Sequence, residues 1–195
     1  FTDFEKYYYN CFQQFPEKNT VAVFGVEYEN QKLTAGCEYI EAKQLITSGS
    51  IVNLDILKQL NGFDENLFID EVDFEYCYRS LMNGFRIIKF RNILLNHTIG
   101  KSRECASLKN LKKSERALHS PERIYYMIRN HLYVKKKYQR FFKDVFTKRN
   151  RDIITTVKNN ILYNRKRLAV IKAICLGFMH YRKNITGKLK KYRYA

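Results

Sequence analysis

Acidic residues cluster between positions 64 and 75 of this 195-residue sequence, and they are the groups best suited to acid–base chemistry. The six carboxylates are Asp64, Glu65, Asp70, Glu71, Asp73 and Glu75. Most of them surround the predicted start of a helix, where free backbone N–H groups and the helix dipole stabilise negative charge. A carboxylate at that place is also a suitable general base, because the helix end holds it while the loop leaves it open to a hydroxyl. The pattern alone leaves both interpretations open.

A single histidine, His97, follows the acidic cluster at the end of a predicted strand, about 24 residues after Asp73. An imidazole at that place could bind a divalent metal ion or contact a phosphate. A lone histidine is more often structural, and the residues alone supply no second ligand.

Helices and strands alternate around the acidic cluster, which indicates an α/β fold. The pattern predicts a helix over 1–15, a buried strand over 20–25 and a surface hairpin or loop over 27–45. It then predicts a turn at 47–50, helices over 54–60 and 72–82, and strands over 85–90 and 93–97. Asn61-Gly62 and Asn83-Gly84 are expected to end the two helices through left-handed backbone geometry. The predicted buried face of the second helix consists of Phe74, Cys77, Tyr78 and Leu81.

The remaining residues are predicted to form an exposed loop over 101–115 and then helices. Ser120-Pro121 has the form of an N-cap followed by proline at the first helical position. Apolar residues then recur at helical spacing among lysines and arginines, at Ile124, Met127, Ile128, Leu132, Leu162, Leu168, Ile171, Ile174, Cys175 and Phe178.

The net positive charge of the chain comes from its last part. Residues 119–195 carry 21 of the 36 lysines and arginines and three of the 19 acidic residues, a net charge of +18, while residues 1–118 carry −1. This asymmetry predicts a folded body, 1–118, and a basic tail, 119–195, that contacts a polyanion. Membrane phosphates and nucleic acid are the two obvious partners.

The five cysteines are widely spaced and form no C-x-x-C pair, which favours a reducing, cytoplasmic setting. No start methionine precedes Phe1, so we expect the chain to be cut from something longer. The apolar run over 168–181 is interrupted by Lys172 and falls short of the roughly 20 residues that cross a bilayer, so no transmembrane helix is predicted.

Several motifs, in their order along the chain, closely resemble the second half of family 2 glycosyltransferases. Their residues resemble those of the rhamnosyltransferases most. They are Gly49-Ser50, Asn61-Gly62-Phe63-Asp64-Glu65, the run from Phe68 to Cys77, Gly84-Phe85, and His97-Thr98-Ile99-Gly100. The run from Ser120 to Asn130 is similar to the family's C-terminal R-x-Y-Y-x-x-R-N element. The resemblance spans roughly residues 20–135.

The resemblance implies a partial GT-A (Rossmann-like) domain over 1–118, the acceptor-side half, followed by the basic, mainly helical extension. It implies an inverting glycosyltransferase that moves a sugar, rhamnose, from dTDP-rhamnose to a lipid-linked glycan during synthesis of cell-envelope polysaccharide such as lipopolysaccharide. The family's Asp-x-Asp motif, which carries metal and nucleotide, occurs nowhere in these residues. We therefore expect the donor-binding half to be missing and the isolated chain to be inactive.

Roles follow from the same resemblance. Asp70 is the favoured catalytic base and Asp73 the next, although many relatives read Glu-Asp where this chain reads Asp70-Glu71. Donor or acceptor binding is implied for Ser48, Gly49, Asp64 and Glu71, and His97 is implied as a ligand of Mg²⁺ or Mn²⁺.

The basic tail is then expected to contact anionic lipid at the inner face of the plasma membrane, as a peripheral rather than a spanning element. A nucleic-acid-binding protein is the alternative from another class, since basic residues mixed with aromatic ones suit phosphate contacts and base stacking. That alternative explains only the tail, because carboxylates at 64–75 would repel a phosphate backbone, so we predict no nucleic-acid partner. A third interpretation is a noncatalytic, membrane-associated scaffold.

Overall fold

The computed structural model describes residues 3–28, 36–95, 102–106 and 113–189, which belong to two compact units. Unit 1 comprises Phe1–Asp64 and Val72–His97, and unit 2 comprises Glu65–Glu71 and Thr98–Ala195. The acidic cluster therefore belongs partly to each unit. These units are defined by packing and do not test the predicted functional division at residue 118, which stays a prediction.

A four-stranded mixed sheet forms the centre of unit 1. Its strands are β1 (Val21–Glu27), β2 (Tyr39–Glu41), β3 (Ile51–Val52) and β4 (Arg86–Leu94), in the order β2-β4-β1-β3. The central strands β1 and β4 are parallel, and each edge strand is antiparallel to its neighbour. Every residue of β1 is buried, as expected for a central strand that is covered on both faces.

Helices cover the two faces of this sheet. Helix α1 (Asp3–Gln14) packs Tyr8 and Cys11 against Phe24 and Phe90 on one face. Helices α2 (Leu54–Gln59) and α3 (Val72–Met82) cover the other face, where their apolar residues meet Val23 and Ile87. The predicted α/β class is thus confirmed at the level of a small, open mixed sheet with flanking helices.

The helix ends in unit 1 agree with the local sequence signals. Asn53 caps α2 by accepting hydrogen bonds from two backbone N–H groups, and Asn61 and Gly62 follow the helix with φ of 62° and 74°. The residue after α3 that allows the chain to turn is Gly84, with φ of 81°. Asparagine and glycine tolerate this left-handed geometry best, which is why these stops could be predicted.

The buried face of α3 was predicted only in part. Cys77 and Tyr78 are buried, but Phe74 and Leu81 are half-buried, and polar positions take the remaining interior places. Glu75 is fully buried and pairs with Arg79 at 2.9 Å. The Arg79 guanidinium in turn donates to the Gly62 carbonyl at 2.8 Å, so the ion pair fixes the chain at the end of α2.

The prediction of two strands over 85–90 and 93–97 was wrong, since β4 runs without interruption to Leu94. The polar residues Arg91 and Asn92 resemble a break in the sequence, but they lie where the pairing between β1 and β4 shifts register. A bulge of this kind absorbs extra residues without ending the strand. His97 lies outside the described residues.

The loop predicted over 101–115 is also wrong where the chain is described. Strands β5 (Ser102–Ala106) and β6 (Lys113–Ala117) pair as an antiparallel ladder in unit 2. Their residues are mostly polar, so the sequence lacks the apolar alternation that announces a half-buried strand. Backbone pairing does not require that alternation. Strand β2 lies within the segment 27–45, for which a surface hairpin or loop was predicted, and it pairs with β4.

A disulfide joins Cys11 of α1 to Cys37, just before β2. Sequence spacing did not predict this pairing, because the two residues lie 26 positions apart and meet only through the packing of unit 1. Of the cysteines whose side chains the structure describes, Cys77 is free and buried, and Cys175 is free and exposed. A cytoplasmic location stays a prediction.

Unit 2 is built from the predicted tail helices together with the β5–β6 pair. The helices are α4 (Pro121–Tyr138), α5 (Lys143–Tyr163) and α6 (Arg167–Arg182), and Ser120 caps α4 by accepting from the Arg123 N–H at 3.2 Å. Among the apolar positions at helical spacing, Ile124 is buried, whereas Leu162, Leu168, Ile171, Cys175 and Phe178 are exposed. Residues Tyr125, Tyr126, Ala173 and Leu176 form a core cluster. No helix among the described residues is long and apolar enough to cross a membrane.

Close packing between α4 and α6 yields a stability prediction at Gly177. A Cβ at this position would lie 2.9 Å from the Tyr125 carbonyl oxygen, closer than real Cβ atoms come. We expect Gly177→Ala to destabilise the chain by about 1–3 kcal/mol through overpacking. That sign is the reverse of the gain of about 1 kcal/mol that alanine gives in an open helix.

Thermal denaturation followed by circular dichroism measures this effect. Cys175→Ala, on the exposed side of the same helix, is the matched control and should change stability by less than about 0.5 kcal/mol. A stabilised Gly177→Ala variant would contradict the packing described here.

Candidate active site

The candidate site begins with the segment Glu65–Glu71 of unit 2, called here the acidic loop. Three of its residues adopt left-handed backbone conformations, with φ of 63° at Phe68, 59° at Asp70 and 65° at Glu71. Phe68 and Glu71 each cost on the order of 1 kcal/mol or more in this conformation, whereas aspartate tolerates it better. A loop of this kind persists only when its surroundings hold it in place.

Helix α4 holds the acidic loop through the side chain of Asn130. The Asn130 amide donates to the carbonyls of Leu67 at 2.8 Å, Ile69 at 2.6 Å and Asp70 at 3.2 Å. The Asn130 residue is only 1% exposed, so these carbonyls are satisfied away from water. Each buried carbonyl left without a donor would cost about 1–3 kcal/mol.

The neighbouring Arg129 supports the first part of the same loop. Its buried guanidinium donates to the carbonyls of Asn66 and Leu67, both at 3.2 Å, and to that of Gly187 at 2.7 Å. The rings of Tyr125 and Tyr126 lie beneath and beside it, with centroids at 5.2 and 5.1 Å. Arginine suits this place because its planar group offers five donors and stacks on aromatic faces.

The last residue of the loop, Glu71, is anchored by charge. Its buried carboxylate contacts the Arg149 guanidinium and lies 3.4 Å from His131 Nδ1. Burial alone would raise the pKa of this carboxyl, but the contact with His131 and the charge of Arg149 together hold it below its usual value. The predicted role of Glu71 in donor or acceptor binding stays a prediction.

Asp70 is the carboxylate of the loop with the most freedom to react. Its Oδ1 lies 3.3 Å from Arg123 Nη2, while its Oδ2 has no hydrogen-bond partner among the described residues. Burial raises the pKa of Asp70 above its usual value, and the charge of Arg123 offsets part of that rise. A raised pKa makes a carboxylate a stronger base, which suits proton removal from a hydroxyl.

Unit 1 brings the other predicted residues together at the 47–50 turn. Asp73, in the first turn of α3, accepts from the Thr47 N–H at 2.9 Å and from the Thr47 hydroxyl at 3.2 Å. The Ser48 carbonyl accepts from the Tyr28 hydroxyl at 2.6 Å, and Gly49 has φ of 66°. The Asp73 carboxylate therefore stabilises the 47–50 turn through its hydrogen bonds to Thr47.

Tyr28 is a residue of this turn region that sequence reasoning missed. Burial, and then the negative charge of Asp73, raise the pKa of the Tyr28 hydroxyl to about 12. The hydroxyl therefore remains a hydrogen-bond donor at neutral pH. Only its contact with the Ser48 carbonyl reveals this role, because the two residues are 20 positions apart.

The remaining predicted residues are less informative. Asp64 is half-buried in unit 1, and His97 lies outside the described residues. Across the described ranges no group of three or more histidine, cysteine, aspartate or glutamate side chains could hold a metal ion. The predicted metal stays a prediction.

The contacts of Asn130 predict that its amide controls the order of the acidic loop. Asn130→Leu keeps the side-chain size but removes the three donated hydrogen bonds, so we expect a loss of roughly 2–4 kcal/mol in stability. Cleavage after Glu65 by a glutamate-specific protease should become faster as the loop opens. Lys136→Ala, on the exposed side of α4, is the control, and equal cleavage rates in both variants would contradict a holding role.

The Glu71 ion pair predicts a pH dependence of stability. Because the folded pKa of Glu71 is depressed, its contribution is present above the unfolded value of 4.5 and is lost as pH falls through the folded value. Glu71→Gln should destabilise the chain by about 3 kcal/mol at neutral pH, since Arg149 is left largely buried. The variant should also show a flatter stability curve in acid.

Melting temperatures measured from about pH 7 down to about pH 2 test both effects, because the loss assigned to Glu71 lies below its unfolded pKa of 4.5. Glu122→Gln, an exposed acid of α4, serves as the control and should leave the curve unchanged. If the melting temperature of Glu71→Gln still falls in acid as steeply as that of the unchanged chain, other carboxyls cause the pH dependence.

Comparison with known proteins places these residues in context. No protein-family model and no solved structure matches the chain. Among curated proteins, the chain is 32% identical over 150 residues to the dTDP-rhamnosyl transferase RfbF of Shigella flexneri. The match covers 72% of this chain and 48% of RfbF, so the chain spans about half the length of that relative.

A continuous match over 72% of the chain must include its middle, and therefore the acidic loop and the part of α4 that holds it. This chain is thus similar to about half of a dTDP-rhamnosyl transferase.

Proposed function

We propose that this chain is the acceptor-side part of a glycosyltransferase that transfers rhamnose from dTDP-rhamnose to a glycan. The observation that carries the proposal is the similarity to the dTDP-rhamnosyl transferase RfbF, which includes the acidic loop. The environment of Asp70 supports it, because a carboxylate with a raised pKa and an unoccupied oxygen among the described residues suits base catalysis.

In the proposed reaction, Asp70 removes the proton of an acceptor hydroxyl. The resulting oxygen forms a bond to the anomeric carbon of the sugar, and the bond from that carbon to the diphosphate breaks. Displacement on the opposite side inverts the anomeric configuration. Arg123 positions the Asp70 carboxylate through its contact with Oδ1 and leaves Oδ2 for the proton.

The environment of Asp73 argues for a different role. Its Oδ2 already accepts two hydrogen bonds from Thr47, so this oxygen is committed to the turn. We propose that Asp73 keeps the 47–50 turn in shape, with Ser48 and Gly49 available to the donor or acceptor. The proposal also includes a donor-binding half, a lipid-linked acceptor, and a divalent metal with His97 as a ligand. The step assigned to Asp70 does not depend on the metal.

Transfer of rhamnose from dTDP-rhamnose tests the proposal, measured for this chain and for the longest gene product that contains it. Asp70→Asn should lower kcat roughly hundredfold or more, as expected for loss of a general base, while KM for the donor changes little. Asp73→Asn should lower the melting temperature as well as activity, since it loosens the turn. A chelator tests the metal.

Glu65→Gln is the matched control, because Glu65 is an exposed acid in the same loop. Full activity of Asp70→Asn would remove Asp70 from the reaction. Absence of transfer from every nucleotide sugar, together with tight, salt-sensitive binding of nucleic acid, would overturn the glycosyltransferase assignment.

A further inference from the structure

Helix α6 carries apolar side chains on two opposite sides, which is unusual for a helix at the surface of a folded unit. One side packs inward, where Val170 and Ala173 are fully buried and Gly177 lies against the Tyr125 carbonyl of α4. This side accounts for the stability of the helix within unit 2. The apolar residues on the other side need a separate explanation.

The opposite side of α6 presents large apolar groups to solvent. Leu168 is 76% exposed, Ile171 42% and Phe178 48%. Their spacing of three and seven residues places them on one side of the helix, with the exposed Cys175 between them. We call these four residues the outer face of α6. The exposed Lys172 lies on the same side, four residues after Leu168, so the face combines apolar groups with a positive charge. Large apolar groups exposed together in this way mark an interaction surface.

Basic residues border the outer face. Arg165, Lys166 and Arg167 lie at the start of the helix, and Arg182 and Lys183 lie at its end. All five are exposed, and no acidic residue follows Asp152 in the sequence. The partner of this surface must therefore accept apolar side chains in its interior and positive charges at its boundary.

We propose that the outer face of α6 docks on an anionic phospholipid surface, with the helix axis parallel to the membrane plane. The apolar side chains enter the boundary of the hydrocarbon layer, and the flanking arginines and lysines contact lipid phosphates. At 16 residues the helix is about 24 Å long, too short to span a bilayer but long enough to lie on one. This docking does not rest on the proposed enzyme activity.

Charge and chemistry disfavour other occupants of the surface. A second copy of the chain would bring an equally basic border against this one, which costs free energy. A nucleic acid would use the basic residues but has no place for exposed leucine and isoleucine. An anionic lipid surface alone satisfies both halves of the pattern.

Flotation of the whole chain with vesicles tests the proposal. Vesicles of phosphatidylglycerol and phosphatidylethanolamine should bind the protein, and vesicles of phosphatidylcholine alone should bind it far more weakly. The triple variant Leu168→Ser, Ile171→Ser, Phe178→Ser should bind the anionic vesicles at least roughly tenfold more weakly. The control is the triple variant Tyr9→Ser, Leu54→Ser, Met82→Ser, which removes similarly exposed apolar groups from unit 1.

A fluorescence measurement distinguishes insertion from mere attraction of charge. The chain contains no tryptophan, so Phe178→Trp introduces a single reporter on the outer face. Its emission should move to shorter wavelength when anionic vesicles are added. The reporter in Tyr9→Trp, which replaces an exposed aromatic residue of unit 1, should not shift.

Three outcomes would overturn the proposal. They are equal losses of binding in the two triple variants, an unchanged Phe178→Trp spectrum on bound vesicles, and self-association that depends on the outer face without vesicle binding. Because the tryptophan variants keep an apolar surface, they remain informative even if the serine variant fails to fold.

Discussion

Buried backbone carbonyls need hydrogen-bond donors, and in unit 2 two adjacent side chains of α4 meet that need for the acidic loop. Left-handed residues interrupt the regular pairing of the loop backbone, so the carbonyls of Leu67, Ile69 and Asp70 turn to Asn130. Arg129 satisfies the preceding carbonyls, and its guanidinium lies over the rings of Tyr125 and Tyr126. The carboxylate proposed as the base is therefore positioned by a helix of the basic tail.

This dependence changes how the tail is understood. Its charge suggests an appendage that contacts a polyanion, yet its first helix is part of the support for the acidic loop. Gly177 allows α6 to approach α4 closely at Tyr125, the residue on which Arg129 stacks. One side of the tail thus supports the fold of unit 2, and the opposite side is the surface for which we propose lipid binding.

The two candidate carboxylates differ in their surroundings rather than in their chemistry. Asp73 is committed to hydrogen bonds with Thr47, and its charge helps to keep the Tyr28 hydroxyl protonated. Asp70 is desolvated, with one oxygen near Arg123 and the other without a hydrogen-bond partner among the described residues. A resemblance between motifs could nominate both residues, but only these environments separate a base from a structural acid.

Local signals were enough to place the helix ends at Asn61-Gly62, Asn83-Gly84 and Ser120-Pro121, because caps and left-handed turns depend on neighbouring residues alone. The acidic residues of the loop could be nominated for the same reason. The unbroken strand β4, the β5–β6 pair and the Cys11–Cys37 disulfide could not be predicted, since each depends on a partner elsewhere in the chain. The roles of Arg129 and Asn130 could not be predicted either. The carbonyls that they satisfy lie about 60 residues away in the sequence and come close to them only in the folded chain.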